Sequence, residues 1–110
     1  MSLPWVYILL ALADGERHGY GIMREVEERT DGKVNIWPAT LYGAIKRMLA
    51  AGLIEVAPER PDPELDDQRR RYYSLSDKGR EVLAGETARL AQIVELAREK
   101  QVLGTPGAVG

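Results

Sequence analysis

The chain contains no cysteine, which excludes disulfides, thiolate nucleophiles, thiol redox switches and cysteine-ligated zinc. It contains one histidine, His18, so a multi-histidine metal site cannot be built. No apolar run is long enough to cross a bilayer. The longest, Leu3 to Ala13, falls well short of the roughly 20 residues a spanning helix needs. No Lys or Arg precedes that run as in a secretory signal, so the sequence reads as soluble and cytoplasmic. An excess of positive charge is also lacking. Fifteen Lys and Arg stand against seventeen Asp and Glu, a net charge of -2, so the whole-molecule charge carries no flag for nucleic acid. A phosphate-cradling glycine loop is absent as well, because Gly19-x-Gly21 lacks the rest of such a fingerprint. His18 has no nucleophile beside it and fits a helix start or core packing. No catalytic set remains, and no residues are assigned to a metal or a cofactor.

What is present is one ordinary domain. The 110 residues are 45% hydrophobic and 29% charged, which are globular proportions. A chain of this size buries roughly two-thirds of its unfolded surface. Leu3 to Ala13 predicts a first helix, apolar nearly all round and therefore buried, ended by Asp14-Gly15. Arg17 to Arg29 predicts a second, with Ile22, Met23 and Val26 inside and Arg24, Glu25, Glu27 and Glu28 outside. Asp31-Gly32 marks a turn. Pro38 suits a first helical position, and a third helix is expected from Pro38 to Ala50 with Gly52 as its stop. Leu53 to Ala57 and Arg69 to Leu75 read as two strands of a hairpin. The loop between them, Pro58 to Gln68, holds three prolines and five acidic residues and no core-forming pattern. From the N-cap Ser76, helical patterning continues to about Leu103, a helix of about 40 Å. A compact domain of this length is only about 34 Å across, so the helix should overhang it. The fold class expected is therefore mainly α with a small β-hairpin: helix-turn-helix plus wing, then a long C-terminal helix. Its parts are a winged helix-turn-helix over 1–75, a dimerisation helix over 76–103 and a flexible tail over 104–110.

The third helix sorts its residues sharply. With 100° per residue, Leu41, Ala44, Ile45, Met48 and Leu49 share a core face, while Ala39, Thr40, Gly43, Lys46, Arg47 and Ala50 share the opposite one, with Tyr42 at the flank. From Pro38 to Gly52 the charge is +2 with no acid. Small residues permit close approach to base edges, hydroxyls of Thr40 and Tyr42 can bond phosphates or bases, and Lys46 and Arg47 can neutralise phosphates or donate to guanine. An ordinary surface helix with two cations would look the same from spacing alone; the hairpin that follows favours the groove-entering reading. Its base carries Arg69, Arg70 and Arg71, of which Arg69 and Arg71 project to one face.

The residues His18-Gly19-Tyr20-Gly21-Ile22, then Thr40-Leu41-Tyr42, then Gly52-Leu53-Ile54, then Arg71-Tyr72-Tyr73-Ser74-Leu75-Ser76 and Gly79 resemble the PadR family of bacterial transcriptional regulators, in register over about Tyr7 to Leu83. The resemblance is to the short branch with a single C-terminal helix. It implies a winged-helix protein, homodimeric through its terminal helices, that represses at a partly palindromic operator in double-stranded DNA. It places the recognition helix on Pro38 to Ala51, a DNA-facing tyrosine on Tyr42, a basic wing on Arg69 to Arg71 and a backbone-proximal tyrosine on Tyr20. It also implies a small hydrophobic or aromatic effector. Some short members stack such a molecule on a tryptophan of the last helix, but no aromatic lies from Ser76 to Gly110 here. Trp5 and Trp37 are assigned to core or interface packing.

Two apolar stripes on the last helix fit the expected homodimer. Val82, Ile93, Leu96 and Leu103 form one, and Leu83, Leu90, Val94 and Ala97 the other. A helix that overhangs its domain cannot bury both against itself, and a two-fold copy would cover the remainder, with Trp5, Ile8 and Leu9 of the first helix joining in. A winged-helix module that binds protein instead of DNA is the alternative, motivated by the net negative charge and the acidic loop.

Overall fold

In the computed structural model, residues 1–57 and 71–104 are described. The expected acidic loop over Pro58 to Gln68, together with Arg69 and Arg70, lies outside them, as does nearly all of the expected tail.

The first apolar run forms α1, Leu3–Ala11, with Pro4 in its first turn. Ile8 and Leu9 are fully buried, and Val6, Ala11 and Leu12 nearly so. Leu3 and Leu10, seven residues apart on one side, remain exposed, which corrects the reading of an all-round buried helix. The helix ends two residues before Ala13 because Leu12 and Ala13 close onto the carbonyls of Leu9 and Leu10. Two arginines from elsewhere take up the carbonyls left at this end. Arg17 Nε donates to Ala11 O at 2.8 Å and Arg80 Nη2 to Ala13 O at 2.9 Å, placing positive charge at the negative end of the helix dipole.

The sequence pattern predicts a second helix from Arg17, but the helix begins two residues later, at Gly19. Arg17–His18 is a short strand, β1, and α2 runs Gly19–Arg29. The reason is His18. Its backbone is extended, and its Nδ1 accepts from Gly21 N–H at 2.9 Å, so it caps the helix from outside. Ile22 and Val26 face the core, whereas Arg24–Glu28 and Glu25–Arg29 pair along the solvent side. The turn to the next helix uses left-handed backbone at Asp31 and Gly32, and Thr30 Oγ1 donates to Val26 O while accepting from Val34 N.

The third helix, α3, occupies Pro38–Ala50. Gly52, at φ +74°, ends it: Leu53 N–H returns to Met48 O and Gly52 N–H to Leu49 O. Then follow β2, Ile54–Val56, and β3, Tyr72–Leu75. The two pair antiparallel with Ile54 opposite Leu75 and Val56 opposite Tyr73. β1 adds to the other side of β3, Arg17 opposite Tyr73 and His18 opposite Tyr72. The sheet is therefore three-stranded in the order β1-β3-β2, one strand more than a hairpin.

Ser76 starts α4, Asp77–Glu99. Its buried hydroxyl accepts from Gly79 N–H and donates to Gly52 O, tying the new helix to the end of α3. Lys78 Nζ adds a bond to Ala51 O at 2.8 Å. Ser76→Ala leaves the buried Gly79 N–H without its acceptor and the Gly52 carbonyl without its donor, and we expect a loss of about 1–2 kcal/mol, read as a lower urea midpoint with unchanged slope. The helix stops at Glu99, short of Leu103, because Gln101 adopts left-handed backbone and Val102 N–H folds back to Ala97 O. α1 lies antiparallel on the first half of α4, since Arg80 meets the C-terminal end of α1 and Glu86 meets the terminal amine of Met1 at 3.7 Å. Leu83 joins the common core, and Val82 and Leu90 pack against it. Beyond Leu90 there is no α1 left to cover the helix. The molecule measures 55 × 27 × 22 Å, and a 23-residue helix accounts for about 35 Å of the long axis.

Candidate nucleic-acid interface

The faces of α3 divide as its periodicity predicts. Leu41, Ala44, Ile45 and Met48 are buried and Leu49 is half-buried, whereas Ala39, Thr40, Gly43, Lys46, Arg47 and Ala50 are exposed. The exposed side combines small residues toward the helix start with two cations toward its end. The cations of α2 and of the far end of α4 are engaged: Arg24 with Glu28, Arg29 with Glu25, Arg89 with Glu86 and Arg98 with Glu95. Among the described residues, neither Lys46 nor Arg47 nor the exposed Arg71 forms a salt bridge. All three side chains are exposed, and no acidic side chain among the described residues pairs with them.

Tyr42 leans from α3 over the first turn of α2. Its hydroxyl lies 2.6 Å and its ring carbons 2.9–3.0 Å from where a Cβ on Gly19 would stand, so any larger residue there would push the ring aside. Tyr42 remains 37% exposed, so part of its surface is open to a ligand. Tyr20 stands in the same turn of α2, 58% exposed, stacked on His18 at 6.3 Å with the Arg24 guanidinium 5.9 Å from its ring centroid. His18 in turn meets Tyr72 of β3 edge to face at 5.4 Å. On the wing side, burial pushes the Tyr73 phenol up from its ordinary range, Arg71 opposing the shift and Tyr42 adding to it, so α3 and the wing base lie within electrostatic reach of one residue. The structure thus brings Tyr20, Tyr42 and the α3 face to one neighbourhood with Arg71 near it.

One residue of this surface does not follow from the helical projection. Trp37 is 74% exposed, not core. In a 100° projection it falls on the same side as Leu41, but it is the N-cap of α3, with extended backbone at φ -72° and ψ 151°, and the projection does not apply there. The proline that follows is the signal that would have placed Trp37 outside the helix.

The residues expected at a dimer interface fall in three groups. Ile8 and Leu9 are fully buried in the protomer's own core and Leu83 nearly so, and a residue without surface cannot contact a partner. Trp5, Val82 and Leu90 are half-buried against that core, and Ala97 is half-buried near the end of α4. Ile93, Val94 and Leu96 are exposed. Among the described residues no group of three His, Asp or Glu could hold a metal ion, and no helix is long and apolar enough to cross a membrane.

Three helices, a three-stranded antiparallel sheet whose first strand precedes α2, and a basic third helix define a winged helix-turn-helix. Solved structures agree on that fold. A PadR family transcription regulator from Clostridium difficile superposes with a TM-score of 0.68 at 24% identity, covering 88% of this chain and 98% of that one. The Bacillus subtilis PadR, solved in complex with operator DNA, gives 0.68 at 21% identity over 100% of this chain and 54% of its own. In sequence, the chain is 34% identical over 86 residues to an uncharacterised 37.1 kDa protein in a transposon of Streptomyces fradiae, spanning 78% of this chain but 22% of that protein. It is 30% identical over 95 residues to an uncharacterised protein of Lysinibacillus sphaericus, with 84% of each chain covered. Residues 8–85 match the profile described as the transcriptional regulator PadR-like family. The chain belongs to that family, which is one of regulators and not of enzymes.

Proposed function

We propose that the chain is a sequence-specific DNA-binding repressor, acting as a homodimer on a partly palindromic operator and released by a small hydrophobic or aromatic effector. DNA binding rests on one observation above all: the exposed face of α3 is acid-free, and its Lys46 and Arg47 have no ion-pair partner among the described residues. A cation left solvated in the free protein can neutralise phosphate without first breaking a salt bridge. The operator complex of the Bacillus subtilis PadR supports the same use of the shared fold. On this reading residues 1–75 carry the DNA face and residues 76–103 the dimer face, and the protein works in the cytoplasm. The homodimer is supported by the second half of α4, where Ile93, Val94 and Leu96 stand exposed beyond the reach of α1, and by Leu3 and Leu10 on α1. Solvent-exposed apolar residues in such a row are covered at lowest cost by a two-fold copy. That apolar seam is also where a flat apolar effector would be held.

The test is a gel shift with the DNA upstream of the chain's own gene, at rising salt. A dimer that neutralises three phosphates per protomer should show a slope of about -5 in log K against log salt. Absence of a specific complex at low salt would sink the proposal. The net charge of -2 favours a second reading, a winged-helix module that binds protein. Capture of one stable protein partner with no DNA retained would decide for it.

A further inference from the structure

Among the described residues, the indole at the head of α3 is neither part of the core nor packed against it. Trp37 occupies the N-cap, where Ser, Thr, Asn or Asp would bond the free N–H groups of the first turn, yet its side chain makes no capping bond. It is 74% exposed, among the most exposed large apolar side chains among the described residues, and so contributes little to the core. Its neighbours along the chain are small: Pro38, Ala39 and Thr40 follow, and Gly43 lies one turn further on. There is no acid in the first turn of the helix. A bulky, rigid, amphipathic ring therefore projects from the same end of α3 at which the smallest side chains permit close approach.

In helix-turn-helix proteins the N-terminal residues of the recognition helix meet the base edges of the major groove. We propose that Trp37 is a DNA contact that sets sequence preference, its apolar ring packing on a thymine methyl at the groove edge and its Nε1–H donating to a phosphate oxygen. This inference rests on the DNA-binding reading above. The chemistry fits the residue. The thymine C5-methyl is the one apolar group that the major groove displays, and only an apolar side chain reads it. The indole has a single donor and no acceptor, which suits a phosphate and no donor on a base. Trp37 carries no charge, so it adds selectivity without adding to the salt dependence that Lys46, Arg47 and Arg71 supply.

The experiment uses the full chain and the DNA upstream of its own gene. The sequence has two tryptophans, Trp5 and Trp37, so Trp5→Phe leaves Trp37 as the sole tryptophan, read apart from the tyrosines by excitation at the red edge of the indole band. In that variant DNA should shield the indole from acrylamide, with the quenching constant falling about threefold as the exposed ring is covered. Trp37→Ala should weaken binding about tenfold, the worth of one good base contact, with the salt slope and the melting temperature unchanged. Deoxyuridine placed for thymine, one position at a time, should weaken the wild type at one position per half-site and leave Trp37→Ala indifferent there. If DNA binds and Trp37 stays as quenchable as in the free protein, the inference fails while the DNA-binding reading stands. If the ring is already shielded without DNA and becomes accessible on dilution, it belongs to an interface between copies, and the inference fails. If no specific DNA complex forms at all, both fail together.

Discussion

Gly79→Ala is expected to abolish cooperative folding, or to lower stability by more than about 4 kcal/mol, the range reached by severe backbone collisions. A Cβ at Gly79 would overlap the carbonyl oxygen of Leu53 and stand 2.9 Å from both the Leu53 carbonyl carbon and Leu75 Cδ1. The obstacle is main chain, and it is held from several sides. Leu53 N–H bonds to Met48 O, Leu53 O accepts from Ser76 N–H, and the next residue, Ile54, is paired with Leu75. The alternative is for α4 to retreat. That would open the Ser76 cap, the Lys78 bond to Ala51 and the seat of Leu83 in the core together. A domain of this size has only about 5–15 kcal/mol in total, so a loss of this order leaves little folded protein. Gly85, six residues further along the same helix, is the internal control. Nothing lies within 4 Å of its would-be Cβ, and Gly85→Ala should raise stability by about 0.5–1 kcal/mol. Urea denaturation followed by circular dichroism reads both. A wild-type midpoint in Gly79→Ala would show that the first turn of α4 does not lie against the Leu53 carbonyl where the structure puts it.

The readability of this fold from its sequence follows the punctuation. α3 was legible to the residue because Pro38 and Gly52 bracket it and because its apolar positions repeat cleanly, so the buried and exposed faces also followed. β1 was not legible: two residues carry no period, and the strand exists only because Tyr72 and Tyr73, more than fifty positions away, pair with it. The end of α4 was overrun because the apolar pattern continues through Val102 and Leu103, while the break comes from left-handed backbone at Gln101, a residue with no special preference for it. In α1 nearly every position is apolar, so no periodicity told which side meets the core. The sequence therefore lets Ile8 and Leu9 pass for interface residues, whereas the exposed side is the one carrying Leu3 and Leu10. Of the candidate site, the exposed face of α3 follows from its periodicity and Tyr20 enters only through the family resemblance, but the contact that fixes Tyr42 over Gly19 has no signal in the sequence. Two fragments of sequence more than twenty residues apart meet there, and only the packing angle of α2 and α3 brings them together.

Lys46→Ala with Arg47→Ala is expected to abolish the specific gel shift while leaving stability within about 0.5 kcal/mol, as for exposed residues without partners. In a dimer the pair removes four cations, and the residual slope of log K against log salt should fall by about 3.6 in magnitude if each meets one phosphate. Tyr42→Ala should also abolish the shift, but through a second route. The ring covers Gly19 at the start of α2, so its loss opens a gap between the two helices as well as removing a contact, and a stability cost of about 1 kcal/mol should accompany it. Tyr42→Phe separates the two effects: it keeps the ring over Gly19 and deletes only the hydroxyl. Gly19→Ala does the reverse, keeping Tyr42 whole while displacing it, because the added Cβ would lie 2.6 Å from its hydroxyl. If Tyr42 acts by touching DNA from a fixed position, Gly19→Ala should weaken binding about as much as Tyr42→Ala does, with the dimer unchanged in size-exclusion chromatography. A shift that survives Gly19→Ala at full strength would mean that the tyrosine serves the packing of α2 on α3 and that the groove is read by Thr40, Lys46 and Arg47 without it. A dimer that dissociates in the lysine and arginine variants would mean that the exposed face of α3 meets a second protein chain and not DNA.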